Sequence, residues 1–263
     1  MPLPDNSNNA LSPDIPSKVP AITIGFWIIK ILATTLGETA GDTLSMTYNL
    51  GYLASTAVFV VPLAMLVWAQ IMAKSFNPWL YWATIIATTT AGTTLADYAT
   101  RSLGIGYIGG STLLLALVLA SLFIWHKAMG TISVNRVATA RGETFYWATI
   151  TFSQTLGTAL GDWAADDGGL GYLGAALLFG SALALLAMLY AANVANHVGL
   201  FWAAFILTRP LGATVGDFLD KPIAKGGLDF SRPVASAALV TAIVLLIILL
   251  PQRSGTYRAP VET

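Results

Sequence analysis

The sequence predicts an all-α membrane protein with eight transmembrane helices. They form four tandem, parallel two-helix repeats, with the odd helices central. Three observations carry this. Of 263 residues, 56% are hydrophobic and 10% charged, with mean hydropathy +0.70. A soluble domain carries about 25% charged residues, so most of this surface must face lipid. Second, Trp27, Trp82, Trp147 and Trp202 each stand fifteen residues before an aspartate: Asp42, Asp97, Asp162 and Asp217. Third, glycines keep the same register. Gly37, Gly92, Gly157 and Gly212 lie ten residues after each Trp, and Gly51, Gly106, Gly171 and Gly226 nine after each Asp.

Residues 1–20 are rich in Pro, Asn and Ser. They lack a basic start followed by an apolar run, so they read as a polar tail and not a signal peptide. A spanning helix needs ~20 mostly apolar residues. Eight stretches qualify: about 22–47, 51–73, 79–101, 106–126, 144–164, 170–192, 199–219 and 233–251. They pair into repeats at about 22–75, 77–127, 142–193 and 197–251, inside one membrane domain over 21–252. A C-terminal tail, 253–263, follows. In each pair the odd helix carries the Trp, the Asp and a polar stripe, and the even helix is plainly apolar. Gly51-Tyr52, Gly106-Tyr107 and Gly171-Tyr172 mark tight turns; the fourth turn is longer and charged, through Asp220, Lys221, Lys225 and Asp229. The Trp spacings are 55, 65 and 55, so the chain also reads as two halves offset by 120 residues. Two helices per repeat give every repeat the same orientation, unlike the inverted repeats of many carriers. Pro62 and Pro210 are expected to kink their helices.

Loop cations set the orientation. Lys18, Lys74, Lys127, Arg136, Arg141, Arg253 and Arg258 fall on one side; Arg101, Lys221, Lys225 and Arg232, mixed with acids, fall on the other. The first side is expected to be cytoplasmic, with both termini inside. The four Trp are expected to be interface anchors there, with Lys30 snorkelling toward the same surface. Fifteen helical residues rise ~22 Å, which puts the four Asp in the outer half of a ~30 Å apolar core.

Glu38 precedes Asp42 by one helical turn and shares its face. Acids at such depth usually face a bundle interior or a water-filled cavity. The same face carries Thr34 and Thr35, then Thr89, Thr90 and Thr93, then Gln154, Thr155 and Thr158; the fourth repeat departs with Arg209, Pro210 and Ala213. The small-residue pairs Gly37/Gly41, Gly92/Ala96, Gly157/Gly161 and Gly212/Gly216 read as close-packing surfaces. Carboxylates and hydroxyls suit Mn²⁺, Ca²⁺, Mg²⁺ or Na⁺, and acids of this kind also carry protons. A cation and proton site is therefore expected at Glu38, Asp42, Asp97, Asp162 and Asp217. Thr35, Thr90, Thr93, Gln154, Thr155 and Thr158 would complete its shell. A structural polar network is the plainer alternative. Arg209 reads as a charge partner for Glu38 or Asp217, or else as the holder of an anionic solute.

Other classes find little support. There is no cysteine, hence no disulfide or thiolate metal site. Thirteen basic residues against thirteen acidic argue against a nucleic-acid partner. His126 and His197 fall in connecting segments, and no HExxH or phosphate loop occurs. No enzymatic role and no covalent cofactor are expected.

Four two-helix units, each opening on Trp and closing on Gly-Asp or Ala-Asp, resemble a bacterial family of multi-pass membrane proteins built from four tandem repeats of unknown function. The likeness covers about 26–251. It implies an integral inner-membrane protein with two spans per repeat, and it assigns no substrate. Separately, Glu38-Thr39-Ala40-Gly41-Asp42-Thr43 is similar to the Glu-x-Gly-Asp motif of Mn²⁺/Ca²⁺ cation–proton exchangers. The spacing differs by one residue, and only the first repeat has the Glu. The expectation is thus a proton-coupled exporter of Mn²⁺ or Ca²⁺ in the lipid bilayer, with room for a homo-oligomer. The rival readings are a small-organic-anion or solute carrier using Arg209, and a non-transporting scaffold or sensor.

Overall fold

The computed structural model describes residues 14–258. The tail expectations for 1–13 and 259–263 lie outside the described residues. In order the elements are β1 (Asp14–Pro20), α1 (Ile24–Asp42), α2 (Tyr52–Met72), α3 (Pro78–Asp97), α4 (Gly106–Met129), α5 (Ala140–Asp162), α6 (Gly171–Ala191), α7 (His197–Asp220), α8 (Arg232–Leu249) and β2 (Ser254–Arg258).

Each odd helix starts on a polar cap. Thr23, Asn77, Thr139 and Asn196 accept hydrogen bonds from the first free backbone N–H groups of α1, α3, α5 and α7, the usual role of such residues. After Asp42, Asp97 and Asp162 the helix widens into one π turn, over Thr43–Thr47, Tyr98–Ser102 and Trp163–Asp167. The fourth repeat has none there, and α7 runs on to Asp220. Gly51, Gly106, Gly171 and Gly226 all have φ between 64° and 84°. That left-handed conformation suits glycine alone without strain, which explains why the second glycine landmark recurs.

The odd helices form a closed ring. α1 packs on α3 and α7, and α5 packs on the same two. The first glycine landmark makes this approach possible. A Cβ on Gly37 would enter Thr89, one on Gly92 would stand 3.0 Å from the Thr155 backbone nitrogen, one on Gly157 would enter Arg209, and one on Gly212 would enter Thr34. Each odd helix therefore offers a glycine to the next, and the last offers one to the first. The even helices do not pack chiefly on their own repeat. α2 covers α3, α4 covers α5, α6 covers α7, and α8 returns to cover α1. Their outer faces expose residues such as Met65, Trp68, Phe123, Leu177, Met188 and Leu249. Among the described residues five helices, α2, α4, α6, α7 and α8, are long and apolar enough to cross a membrane.

β1 and β2 pair antiparallel, Pro16 opposite Thr256 and Pro20 opposite Ser254. The ribbon is tied to the bundle at the Trp end. Ser17 Oγ donates to the carbonyls of Val134 (2.9 Å) and Val137 (3.2 Å). Lys18 Nζ pairs with Glu143 at 2.5 Å and donates to the last carbonyls of α2 at Gln70 and Ile71. Residues 14–20 are thus a strand, where the sequence suggested only a polar tail.

Candidate functional site

The four repeated aspartates and Glu38 come from four helices and meet inside one end of the ring. All five are buried. Carboxylate oxygens of Glu38, Asp162 and Asp217 lie within 4.8 Å of one another, and so do those of Asp42, Asp217 and Asp220. Asp97 belongs to neither group.

Two basic residues stitch the four aspartates in pairs. Arg101 Nε lies 3.0 Å from Asp97 and its NH2 group 3.0 Å from Asp162. Lys221 Nζ lies 2.8 Å from Asp217 and 2.6 Å from Asp42. Each base stands four residues after its own aspartate and reaches the next one around the ring. The two clasps are 120 residues apart, the offset of the two halves. The same position in the other repeats holds Met46 and Asp166, so clasps alternate with gaps. Arg232 adds a contact to Asp220 at 3.0 Å and to Asp42 at 3.8 Å. Burial opposes the Lys221 charge, but the carboxylates of Asp217, Asp42 and Asp220 outweigh it and hold the ammonium well above the ordinary lysine range. Outside the clasps a recess of about 570 Å³ opens, lined by Arg101, Asp166, Tyr172, Lys221, Lys225 and Arg232 among others.

One turn further in, Arg209 ties the ring together. Its NH2 group donates to Glu38 of α1 at 3.0 Å, Thr93 of α3 at 2.5 Å and Thr158 of α5 at 2.5 Å. It also reaches the Thr34 carbonyl through Nη1 at 3.5 Å. One guanidinium from α7 thus touches the other three odd helices. The departure of the fourth repeat now has a reason: the position equivalent to Glu38, Thr93 and Thr158 is Ala213, and Arg209 supplies the polar group from a turn below. Of its two expected roles, Arg209 takes that of charge partner to Glu38.

The Trp end of the axis is closed by rings. Trp82, Trp147 and Trp202 are at most 3% exposed, and they pack with Phe26, Tyr81, Tyr146, Phe201 and Trp125. Tyr81 and Tyr146 share a hydroxyl hydrogen bond of 2.7 Å. Trp82 Nε1 donates to Gln252 and Trp202 Nε1 to the Ile132 carbonyl. These three tryptophans are therefore not lipid-facing anchors. They turn inward into an aromatic cluster, where edge-to-face contacts with Tyr81, Tyr146 and Trp125 add to their buried area. Trp27 is partly buried against Phe26 and Phe201. Lys30 is corrected in the same way: it is fully buried and its ammonium sits 4.1 Å from the Phe205 ring centre.

The expected hydroxyl shell divides. Thr93 and Thr158 face Arg209, not the aspartates. Thr35, Thr90 and Thr155 donate back to carbonyls of their own helices, at Ile31, Ile86 and Thr151. Gln154 is fully buried, yet neither amide atom has a hydrogen-bond partner. Gly41, Gly161 and Gly216 meet Thr93, Ala213 and Glu38 at close range, so the glycine pairs pack helices. Arg101, Lys221, Arg232 and Asp220 were read from the sequence as loop charges, and they belong to the site. A signal for two of them was present: Asp97 to Arg101 and Asp217 to Lys221 are both four-residue steps in alternate repeats.

The sequence model of one repeat, described as Repeat of Unknown Function (DUF347), matches four times, at residues 25–76, 80–131, 145–194 and 200–254. No curated protein and no solved structure matches the chain.

Proposed function

The chain belongs to the DUF347 repeat family, and from that premise we propose that it is an integral membrane carrier for a hard cation, coupled to protons. In this reading all eight helices cross the bilayer of the bacterial inner membrane. The Trp end and both termini face the cytoplasm. Arg101, Lys221 and Arg232 are engaged by buried acids at the other end, and most of the loop cations lie at the Trp end, in keeping with positive-inside orientation.

One observation carries the proposal: the three buried carboxylates of Glu38, Asp162 and Asp217, from three different repeats, within 4.8 Å of one another. Their surroundings leave charge to be met. Six buried acids at this end (Glu38, Asp42, Asp97, Asp162, Asp217, Asp220) face four bases (Arg101, Arg209, Lys221, Arg232). Two negative charges remain, which one divalent cation or two protons would balance. Such density does not ionise fully in a low dielectric without them. Buried carboxylate oxygens suit hard cations such as Ca²⁺ or Mn²⁺. Asp42 Oδ1, Asp97 Oδ2 and Asp162 Oδ1 lack hydrogen-bond partners and are available to a cation or proton. In the cycle we propose, protons arriving from the recess loosen the Arg101 and Lys221 clasps, the cation leaves, and the clasps close again.

The test is Mn²⁺, Ca²⁺, Mg²⁺ and Na⁺ flux in proteoliposomes with an imposed pH gradient, for the wild type and for Asp162→Asn and Glu38→Gln. Loss of flux for one ion in both variants supports the proposal; unchanged flux removes it. The organic-anion alternative is weakened because Arg209 is already met by Glu38, Thr93 and Thr158.

A further inference from the structure

The β1–β2 ribbon is fastened across the ring, not beside it. β1 leads into α1, and α1 and α5 stand on opposite sides of the ring, each packed on α3 and α7. Yet Lys18 of β1 pairs with Glu143 in the first turn of α5 at 2.5 Å. Its backbone N–H donates to the Val137 carbonyl, just before α5, at 2.9 Å. The returning strand is tied as well: Gln252, between α8 and β2, accepts from Trp82 Nε1 of α3 at 3.1 Å. Val19 of β1 joins the same buried cluster as Trp82, Trp147 and Trp202. The ribbon therefore straps the Trp-end mouth of the ring and holds one of the indoles that fill it.

The strap owes its place to these ties. A two-stranded ribbon is marginally stable alone. This one has a register shift between Pro16 and Pro20, and proline offers no N–H to a ladder. Its ionic tie is also suited to release. Lys18 is 11% exposed at the end of the bundle, against 0% for Arg209. When the ribbon lifts, Lys18 and Glu143 both meet water. Parting Arg209 from Glu38 would instead strand a charge in the interior, which is costly.

We propose that the ribbon is a latch on the Trp end of the axis, with Lys18 and Glu143 as its bolt. When that pair parts, α1 and α5 are free to separate and Trp82 is free to turn from Gln252, so the axis opens through the aromatic cluster. The two ends of the axis differ in what this requires. The Asp end has its recess of about 570 Å³. The Trp end is filled by packed rings, so passage there needs a part that moves. The inference rests on the carrier reading for what passes, but not for whether the latch opens.

The experiment reads access directly. The chain has no cysteine, so one introduced thiol reports one position. Ile150, three residues after Trp147 on α5, is fully buried in the cluster behind the strap. Ala175 of α6 is fully buried in the separate cluster with Ala165 and Tyr172, at the Asp end. Each is changed to Cys in the full-length protein in detergent, and labelling by a water-soluble maleimide is timed. Lys18→Met or Glu143→Gln should speed labelling of Ile150→Cys by about tenfold or more, as a local opening does, and leave Ala175→Cys unchanged. Lys18→Glu combined with Glu143→Lys should label more slowly than Lys18→Glu alone. An unchanged rate at Ile150→Cys, an equal rise at Ala175→Cys, or no recovery in the charge swap overturns the latch. Should Ile150→Cys not fold, Ile85→Cys, three residues after Trp82, takes its place with the same outcomes. No cation takes part in the labelling. Absent flux in proteoliposomes would thus remove the carrier reading and leave the latch standing, and an unchanged labelling rate would do the reverse.

Discussion

Lys221 Nζ lies 2.6 Å from Asp42 Oδ2, joining residues 179 positions apart at the seam where the last odd helix meets the first. The ammonium is 9% exposed and the carboxylate 1%. Removing one partner of such a buried pair leaves the other charge unpaired, which typically costs about 3–5 kcal/mol. Lys221→Met should therefore melt far below the wild type. Lys221→Met combined with Asp42→Asn should recover part of the loss. A double-mutant cycle from denaturation in detergent measures the coupling, and strictly additive losses would refute the pairing.

The same lysine predicts an alkaline limit. Its folded pKa is raised above the unfolded value of about 10.4. The stability it contributes is therefore complete below that value and is lost as pH rises through the folded pKa. The gap in melting temperature between wild type and Lys221→Met should stay constant from pH 7 to about pH 10 and narrow beyond. A gap that narrows between pH 7 and 9 would count against it.

Arg209 should behave as the centre of a network. Thr93→Val and Thr158→Val each remove one acceptor of its NH2 group and should cost about 1–2 kcal/mol. Arg209→Met strands Glu38 and should cost more than either. Because both threonines serve one donor group, their double variant is expected to deviate from additivity by at least about 0.5 kcal/mol. Independent behaviour would mean that the guanidinium does not bind both at once.

The glycine ring offers a steric test. Gly37→Ala and Gly212→Ala place a methyl group into Thr89 and Thr34 across the helix interface. Overpacking of this kind costs about 1–3 kcal/mol. Gly199→Ala, in the first turn of α7 with nothing within 4 Å of the new Cβ, should be neutral or slightly stabilising. Thermal melts of the three variants side by side decide it.

Much of this architecture was legible because the repeat multiplies each weak signal by four. A single Trp-to-Asp spacing means nothing, but four in register fixed the helix pairs, and the buried acids followed from depth. What escaped the sequence has physical causes. Arg101 is the last residue of the apolar window at 79–101 and Lys221 lies just past the one at 199–219, where hydropathy treats a charge as a loop residue; only the four-residue step to the preceding aspartate hinted otherwise. The tryptophans were read by the membrane-belt rule, which takes no account of Tyr81, Tyr146 and Phe201 standing one residue away, ready to cluster. Lys30 lay near enough to a helix end to suggest snorkelling, and its burial depends on Phe205 and Thr208, 175 and more positions away. The β1–β2 ribbon pairs segments some 240 residues apart, one of them with two prolines among seven residues, so neither strand shows a strand-like alternation alone.

Because α8 packs mainly on α1 and only slightly on α7, the circle of covering contacts has no loose end. An open stack can gain or shed a unit and keep its neighbours intact. Here a fifth unit would find no vacant edge, and removing the last unit would leave one inner helix bare on its outer side. The fourth unit is thus the one that completes the enclosure, because its outer helix reaches the first inner helix.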